Sequence, residues 1–344
     1  MKRLVLIAMV LVVAAGAGFS QNLTVLDDDF NTFLSSLGTH LLPHLQQTAV
    51  NGISTGDASV PAYRSFTIGT SLGAVMDLQG WDEAIAFPDD YEALLPLDDI
   101  VNDAIQGAGA PVTTFYEGFI PYPVSRLTLG GTIAGWQILG TAAWVPNALA
   151  GWGVGLAGDA AASFSGLEFS ILNLGGQVRR TLVEDQPGFP AITAGLGYTY
   201  GGFNLSVPLP ADIISLLEEQ VEGATVTADN LFVDTTVHTA GLELAISKKL
   251  AFFVPFVAVT PYFQQSTFSS GISGFDLEVG TVSYEEQSGE GNQDPGATVN
   301  VYDFALAARG GFDLVFGGFG LFLHGQYSLA TMAPAVTTGM RLSF

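Results

Sequence analysis

The chain has 344 residues and a formal net charge of −23, with 33 acidic residues, 10 basic residues and no cysteine. Nucleic-acid binding needs a basic surface, so this charge excludes a nucleic-acid partner. Without cysteine we expect neither disulfides nor the lipid-modified cysteine of bacterial lipoproteins.

Residues 1–20 have the pattern of a secretory signal peptide. Lys2 and Arg3 form a basic start, an apolar run follows, and small residues precede the expected cleavage after Ala17 or Ser20. The run is too short to span a bilayer as a helix, so we expect cleavage rather than anchoring. Its removal leaves 8 of the 10 basic residues against 33 acidic ones, and 8 minus 33 is a net charge of −25.

The next segment, residues 21–65, contains a predicted amphipathic helix in DDDFNTFLSSLGTHLL. Asp residues at the start of this stretch suit a helix N-terminus. One face of the helix collects apolar side chains, namely Phe30, Phe33, Leu34, Leu37 and Leu41. A second amphipathic helix is predicted in ADIISLLEEQV, residues 211–221.

From residue 66 onward the apolar residues recur with a period of two, which is typical of β-strands with one apolar face. In VYDFALAARGGFDLVF, Tyr302 and Phe304 share an apolar face, whereas Asp303 and Arg309 share the other. The pattern predicts about ten strands in all, at 66–76, 122–133, 137–145, 168–182, 191–207, 230–247, 251–267, 301–316, 319–329 and 336–344.

Some of these strands are irregular. The alternation in 191–207 changes phase at Gly201 and Gly202, which predicts a β-bulge at that point. Residues 137–145 and the early part of 251–267 alternate poorly, so their two faces are poorly defined by sequence.

Strands of about ten residues are long enough to cross a bilayer when tilted. Inside lipid every backbone group must be paired, so strands can cross only as a closed barrel. Aromatic girdles distinguish such barrels from soluble β-sandwiches, and matching rings lie near the ends of the apolar faces, at Phe66, Trp144, Tyr198, Tyr302, Phe316, Phe319 and Phe344. We predict an all-β fold, a single antiparallel transmembrane β-barrel of about ten strands, in the range of 8 to 12, over 66–344. Residues 21–65 would form a helical periplasmic segment that plugs the barrel mouth or lies against its rim.

The connections between the predicted strands alternate in length. If Phe344 lies at the periplasmic end, the periplasmic joins are short, whereas four of the five outer joins are long, as in outer-membrane barrels. The long outer loops carry many acidic residues and no Lys or Arg, and they lie at 77–121, 146–167, 208–229 and 268–299. These charges serve solubility or a divalent-cation surface, although no loop has the spacing of a known calcium site.

Several stretches resemble Gram-negative outer-membrane β-barrel proteins. They are IPYPVSRLTLGGTIAGWQILGTAAWVP, FPAITAGLGYTYGGF, LAISKKLAFFVPFVAVTPYF and the terminal MRLSF. The chain resembles most closely uncharacterised barrel families of spirochaete and Bacteroidetes type, which imply no biochemical activity. The terminal Phe with apolar residues two and four before it is similar to the signal read by the outer-membrane assembly machinery, and here that signal is Met340, Leu342 and Phe344.

The predicted inward faces carry charged residues, which are the candidate lumen residues. They are Arg126, Arg179, Arg309, Arg341, Glu243, Asp303, Asp313 and His324, with Gln326 beside them. Because buried charges must be partnered, they predict a structural ion-pair network. The alternative is a narrow pore with an Arg-lined constriction that favours anions.

Other motifs carry little chemistry. GVGLAG at 153–158 matches GxGxxG but follows no buried parallel strand, so it predicts no dinucleotide site. His40 and His44 have helical zinc-ligand spacing, but Pro43 interrupts them, so no metal site is predicted. There is no GxSxG motif, and His238 and His324 have no evident serine partner. We therefore predict neither a cofactor nor enzymatic activity.

Two functions remain open on sequence alone. The first is passive or facilitated transport of small or hydrophobic solutes through an outer-membrane barrel. The second is a surface-exposed structural or adhesive protein whose barrel is only an anchor. Either one predicts outer-membrane lipid and the barrel assembly machinery as partners, with a small-molecule solute added in the first.

Overall fold

The structure is a computed structural model that describes most of the predicted strand regions. The described residues are Thr32, Ser35, Ser36, Leu42, 65–77, 120–145, 168–208, 224–227, 229–274, 276–279, 282–283, 296–329 and 332–344. Predictions on residues 1–20, His40, His44, 153–158 and 211–221 lie outside them. Within the described set, no helix combines the length and the apolar character needed to cross a membrane.

Thirteen strands are present in the described part of the chain. They are β1 (Ser65–Asp77), β2 (Ile120–Ile133), β3 (Trp136–Val145), β4 (Glu168–Val183), β5 (Ala191–Pro208), β6 (Ala224–Thr227), β7 (Asn230–Ser247), β8 (Phe253–Ser273), β9 (Asp276–Val279), β10 (Val282–Ser283), β11 (Gly296–Phe316), β12 (Phe319–Ser328) and β13 (Pro334–Ser343).

Ten of these strands form one closed antiparallel barrel, in the order β1-β13-β12-β11-β8-β7-β5-β4-β3-β2. The first and last barrel strands pair directly, with Thr67 opposite Ser343 and Val75 opposite Ala335. Phe344 extends this seam, because its N–H donates to the carbonyl of Phe66 at 2.9 Å and its own carbonyl accepts from Phe66 at 3.1 Å. The predicted barrel of about ten strands is confirmed. The remaining strands, β6, β9 and β10, form a separate three-stranded sheet.

The barrel has a short-turn end, where consecutive strands are joined by tight connections, and a long-loop end opposite to it. At the short-turn end, left-handed residues turn the chain, with Gly135 at a φ of 77° and Gly317 at a φ of 62°. Such φ values suit glycine because it has no Cβ to clash with the backbone. Ser65 and Phe344 both lie at this end.

The outward barrel face is apolar over a broad belt. Its exposed side chains include Leu72, Leu129, Ile138, Leu174, Leu196, Leu242, Val257, Phe304, Leu323 and Met340. Soluble monomers rarely expose an apolar surface that encircles the molecule, whereas a lipid-facing barrel requires one. This belt is therefore the surface suited to face lipid, and we call it the lipid-facing belt.

The belt ends on the long-loop side at a set of aromatic and polar side chains. The Tyr198 hydroxyl contacts His238 Nδ1 at 2.7 Å on the outward face. Beyond this level the outward pairs become polar, as where Thr267 donates to Asn300 at 2.8 Å. Strands β8 and β11 have 21 residues each, roughly 70 Å of strand, whereas β12 has 10 residues, or roughly 33 Å. The wall formed by β5, β7, β8 and β11 thus projects beyond the lipid-facing belt.

Two sequence predictions differ from the structure. The bulge predicted at Gly201 and Gly202 is wrong, because β5 pairs without interruption on both sides there, and the register shift falls between Thr181 and Val183 instead. The outer loop predicted at 268–299 is shorter, since β8 continues to Ser273 and β11 begins at Gly296. Beyond the lipid belt the outward residues are polar, so the apolar alternation that marks a strand stops before the strand does.

Small apolar clusters on the inner wall explain the poorly alternating strands. Ala258 packs with Ala191 and Ala245, and Leu139 is buried on the inward register of β3. In these places the residues on both faces of the strand are apolar or small. The sequence therefore shows no apolar–polar alternation, although successive side chains still point to opposite faces.

Candidate functional site

The candidate site is the inner wall of the barrel, where charged side chains from several strands meet. Six of the predicted lumen residues are buried there: Arg126, Arg179, Arg309, Glu243, Asp313 and His324. Asp303 and Arg341 lie on the same inward register but are only half-buried. An inward-facing charge can be this well buried only if other groups in the lumen hold it.

Four side chains form a chain of polar contacts that we call the central cluster: Gln177, Glu243, Arg309 and Gln326. Arg309 donates from Nη1 to Glu243 Oε2 at 3.2 Å. It also donates from Nε and Nη2 to Gln326 Oε1, at 3.0 and 2.6 Å. The other Glu243 oxygen accepts from Gln177 Nε2 at 3.3 Å. The cluster therefore joins β4, β7, β11 and β12 across the intervening strands.

A second group, the short-turn cluster, lies nearer the short-turn end and contains Asp313, His324 and Arg341. Asp313 Oδ1 contacts His324 Nε2 at 2.8 Å, while Asp313 Oδ2 accepts from Arg341 Nη2 at 2.7 Å. Phe256 and Phe322 flank the imidazole, each with its ring centroid 4.6 Å away. One carboxylate thus holds two side chains in place on β12 and β13.

Polar side chains that the sequence analysis did not single out complete the inner wall. Arg179 donates from Nε to Gln137 Oε1 at 2.5 Å, and the Tyr262 hydroxyl contacts Ser328 Oγ at 2.8 Å. Gln137 and Gln177 fall on the inward register of β3 and β4. The alternation of those strands in the sequence could therefore have identified both as lumen-facing residues. Their pairing with Arg179 and Glu243 depends on neighbouring strands and was not visible in sequence.

Glycine creates the space that these long side chains occupy. A Cβ placed at Gly195 would lie 2.9 Å from the Arg179 Cβ and 3.2 Å from Gln177 Nε2. Real side chains do not approach that closely, so the bare backbone of β5 lets the Arg179 and Gln177 side chains pass over it. A larger residue at this position would displace both side chains.

A small cavity adjoins the central cluster. It has a volume of about 10 Å³, room for roughly one water molecule. Its lining includes Glu243, Arg309, Gln177, Thr239 and Tyr262. The Oε1 atom of Gln177 and the Oγ1 atom of Thr239 are buried and have no hydrogen-bond partner among the described protein atoms. Buried polar groups of this kind are ordinarily satisfied by water, and one water molecule in this cavity could serve them.

Toward the long-loop end the inner wall carries a group of apolar side chains, beside the buried hydroxyls of Thr235 and Ser270. Here Leu42, Val233 and Phe268 are buried together, and Phe203, Val299 and Val301 pack against them. We call these six residues the apolar cluster. Phe203 lies in line with Phe268 and Val299 across the sheet. At Gly201 and Gly202 the apolar residues of β5 switch from its outward face to its inward face. The pairing of the strand is unchanged there, so the same alternate positions continue to point inward. The switch therefore reflects a change in the neighbouring interior from polar to apolar side chains.

The remaining histidine and the C-terminal residues face outward. His238 contacts Tyr198 on the outer face of β7, and the described residues include no group of three or more His, Asp or Glu side chains arranged to hold a metal ion. Met340, Leu342 and Phe344 are exposed on the outward face of the closing seam. Their role as an assembly signal stays a prediction.

No known protein family matches this sequence, and no curated protein does. Solved structures with a similar fold are bacterial outer-membrane β-barrels. The translocator domain of the autotransporter NalP from Neisseria meningitidis is 9% identical, with 91% of this chain and 99% of that chain covered and a TM-score of 0.35. The outer-membrane protease OmpT from Escherichia coli is 7% identical, with 85% and 100% covered and a TM-score of 0.38. The toluene transporter TodX from P. putida is 8% identical, with 84% and 92% covered and a TM-score of 0.29.

Identities of 7% to 9% with TM-scores of 0.29 to 0.38 carry no argument about this chain. Its own strand pairing makes it a closed antiparallel β-barrel of ten strands. Because one fold hosts many functions, the activity has to be argued from the inner wall of the barrel.

Proposed function

We propose that the protein lies in the bacterial outer membrane and lets small polar solutes through a narrow lumen, which the central cluster closes in the conformation described. The observation that carries this proposal is the buried Arg309–Glu243 pair beside the small cavity. Replacing a buried ion pair by apolar side chains of similar volume is often neutral or stabilising. A barrel that serves only as an anchor therefore has little reason to keep buried charges, whereas a channel uses them to select and gate.

The polar lining narrows the class of solute. Around the central cluster the inner wall presents amide, hydroxyl and charged groups, such as Gln177, Thr239 and Gln326. A hydrophobic solute would have to displace water from these groups without replacing its hydrogen bonds. The lining therefore favours small polar solutes over hydrophobic ones.

Planar-bilayer recordings of the refolded full chain test the channel. Arg309→Ala removes the group that holds both Glu243 and Gln326, so unitary currents should be larger or more frequent than in the wild type. The constriction would then lose one positive charge, so selectivity should shift toward cations. Arg180→Ala is the matched control, because Arg180 faces outward and lies over the Trp136 ring at 5.3 Å. Absence of unitary currents from both the wild type and Arg309→Ala would contradict the proposal.

A second candidate function is a surface-exposed binding protein with the barrel as its anchor. The projecting wall of β5, β7, β8 and β11 favours it, because the outward face of that wall carries polar pairs such as Asn204 with Asp234 and Ser269 with Thr298. Deleting 276–295 should abolish surface binding and leave the barrel intact if this function holds. If the deletion variant still bound cells or matrix as the wild type does, this second function would be contradicted.

The orientation and the assembly partner belong to the same proposal. Short turns of outer-membrane barrels face the periplasm, so the short-turn end is assigned to that side and the acidic long-loop end to the cell surface. Met340, Leu342 and Phe344 would be read by the barrel assembly machinery. The compared structures named above come from Neisseria, Escherichia and Pseudomonas, and the narrower resemblance to spirochaete and Bacteroidetes families stays a prediction.

A further inference from the structure

The outward face of the projecting wall carries a regular array of side chains just beyond the lipid-facing belt. Each of the strands β5, β7, β8 and β11 contributes one outward residue to a row, and three such rows follow one another toward the long-loop end. The first row is Tyr200, His238, Gln265 and Tyr302, the second is Gly202, Thr236, Thr267 and Asn300, and the third is Asn204, Asp234, Ser269 and Thr298.

The height of these rows corresponds to a lipid headgroup layer. Successive rows are two residues apart, about 7 Å along a strand, and therefore about 5 Å apart in height for a strand tilted by about 40°. The headgroup region adds about 5–7 Å to each side of the hydrocarbon core of a bilayer. With the first row at the edge of the belt, the second and third rows would stand beside the headgroups, on one side of the barrel.

The second and third rows offer hydrogen-bonding groups without positive charge. Thr267 donates to Asn300 at 2.8 Å, and the hydroxyls of Ser269 and Thr298 lie 3.2 Å apart, all on the outer surface. The strand stretches that form the rows, 196–208, 230–240, 263–273 and 296–304, contain no Lys or Arg. Phosphate recognition depends on such cations. This face therefore suits a neutral headgroup better than a phosphate.

An aromatic ring lies beside these polar groups. A Cβ placed at Gly202 would meet Tyr200 Oη at 3.5 Å and Tyr200 Cε1 at 3.8 Å, so the tyrosine ring lies over the bare backbone of Gly202. The His238 ring is its neighbour, with centroids 5.3 Å apart. A sugar ring matches this arrangement, because its C–H face can pack on an aromatic ring while its hydroxyl groups bond to nearby hydroxyls and amides.

We propose that the three rows form a contact surface for the neutral saccharide headgroups of outer-leaflet lipids. The acyl chains of such a lipid pack on the belt, and its sugar hydroxyls bond to the second and third rows. Two features point to this occupant: the surface is continuous with the lipid-facing belt, and it has no cation for a phosphate. The inference rests on the outer-membrane placement in the proposed function, not on its solute pathway. It gives the projecting wall a partner in the same membrane rather than on another cell.

Lipid retention by the refolded full chain tests the contact surface. The vesicles contain equal parts of three dioleoyl lipids: digalactosyldiacylglycerol, which has a neutral disaccharide headgroup, phosphatidylglycerol and phosphatidylcholine. After mild detergent extraction, mass spectrometry of the intact complexes counts the lipids that stay bound. The digalactosyl lipid should be retained at least about threefold over either phospholipid, the effect of one or two hydrogen bonds. Equal retention of the three lipids, or preference for a phospholipid, would overturn the proposal.

A double variant locates the contact. Thr267→Val combined with Asn300→Leu removes the polar pair of the second row, so the preference for the digalactosyl lipid should fall about threefold. The matched control is Thr338→Val, which also removes an outward hydroxyl, one that donates to the Phe322 carbonyl at 2.9 Å, but on β13, away from the projecting wall. A preference that falls in both variants, or in neither, would count against this surface.

The third row supplies the same comparison if the first double variant loses its heat-modifiable mobility. Ser269→Ala combined with Thr298→Ala should then lower the preference for the digalactosyl lipid relative to Thr338→Val. An unchanged preference in this folded variant would overturn the proposal.

Two further arms exclude other occupants. The free disaccharide headgroup, added at the concentration of the lipid, should leave lipid retention unchanged, because it lacks the acyl chains that pack on the belt. Displacement of the lipid by the free disaccharide would assign the surface to soluble sugars and overturn the lipid assignment. Lipid-free dimers of the wild type that dissociate in the Thr267→Val, Asn300→Leu variant would assign it to a second copy of the chain.

The placement in the outer membrane is measured separately, by protease cleavage of the long-loop end on intact cells. A lipid preference in vesicles without cleavage on cells would contradict the placement in the proposed function. Cleavage on cells without a lipid preference in vesicles would contradict the contact surface alone.

Discussion

At the scale of single residues, the inner wall depends on a few charged groups that have several partners each. Glu243 accepts hydrogen bonds from Arg309 and Gln177, and Asp313 contacts both His324 and Arg341. Removing one partner of a buried ion pair ordinarily costs about 3–5 kcal/mol, because the remaining charge stays buried and unpaired. In this barrel a small cavity adjoins Glu243, and a water molecule in it would offset part of that cost.

Gly195 gives a residue-scale prediction. Gly195→Val should lower the free energy of unfolding by about 1–3 kcal/mol, because the new side chain would overlap Arg179 and Gln177. Urea unfolding of the refolded barrel in detergent or lipid vesicles measures this. Gly176→Val is the control, since Gly176 lies on the outward face of β4 and a Cβ there would meet nothing closer than the Leu139 carbonyl oxygen at 3.7 Å. Similar losses in both variants would show that the spacing inside the lumen is not the cause.

At the scale of elements, two neighbouring short turns are fastened together. Lys248 Nζ donates to Asp185 Oδ1 at 2.6 Å and to the carbonyl oxygens of Gln186 and Phe189 at 2.6 and 3.0 Å. The backbone N–H of Lys249 donates to Asp185 Oδ2 at 3.0 Å. One lysine and one aspartate therefore join the β4–β5 turn to the β7–β8 turn.

This contact has a predictable pH dependence. The hydrogen bond from Lys248 lowers the pKa of Asp185 below its ordinary value of 3.8, and the Lys249 N–H acts in the same direction. A carboxyl whose pKa is lower in the folded state stabilises that state above the unfolded pKa and loses this effect as pH falls through the folded pKa. The stabilisation should therefore be complete at neutral pH, begin to be lost below about pH 4 and disappear as pH falls through the lowered pKa of Asp185.

Asp185→Asn tests that dependence. At neutral pH the variant should unfold at a slightly lower urea concentration than the wild type, and the difference should vanish as pH falls through the acidic range. The effect should be small because the side chains are partly exposed. Unfolding midpoints measured between neutral and strongly acidic pH check it, with Glu184→Gln in the same turn as control. A difference that does not change with pH would contradict the assigned cause.

At the scale of the whole molecule, the barrel depends on one seam between its first and last strands. Phe344 contributes backbone hydrogen bonds to Phe66, whereas its ring is 75% exposed on the outward face. The ring therefore adds little to packing within the barrel. Its predicted role is in contacts with lipid or with the assembly machinery.

Phe344→Ala separates these two uses. Refolding of the purified variant in detergent should match the wild type, because the backbone bonds of the seam remain. In cells, however, the fraction of heat-modifiable, assembled barrel should fall several-fold if the terminal ring is part of the assembly signal. Phe316→Ala is the control, since Phe316 is another exposed ring at the short-turn end. An undiminished assembled fraction in cells would contradict a signal role for Phe344.

Much of the barrel was predictable because strand alternation is a local property. Side chains alternate between the two faces of a strand whatever surrounds it. The charged residues between apolar neighbours, such as Arg309 and Asp313, could therefore be placed on the inward face from sequence. The ends of β8 and β11 could not, because their outward residues lose the apolar pattern once the wall leaves the lipid.

The sequence by itself determined a barrel of about ten strands, the outward side of the regularly alternating strands and a set of inward charges. Tertiary structure alone decided which inward residues meet: Glu243 with Arg309 and Gln177, and Leu42 with Val233 and Phe268. The physical reason is that alternation is set within one strand, whereas contacts in the lumen depend on the register between strands. Register brings together residues 66 positions apart, as with Glu243 and Arg309, and no local pattern specifies that distance.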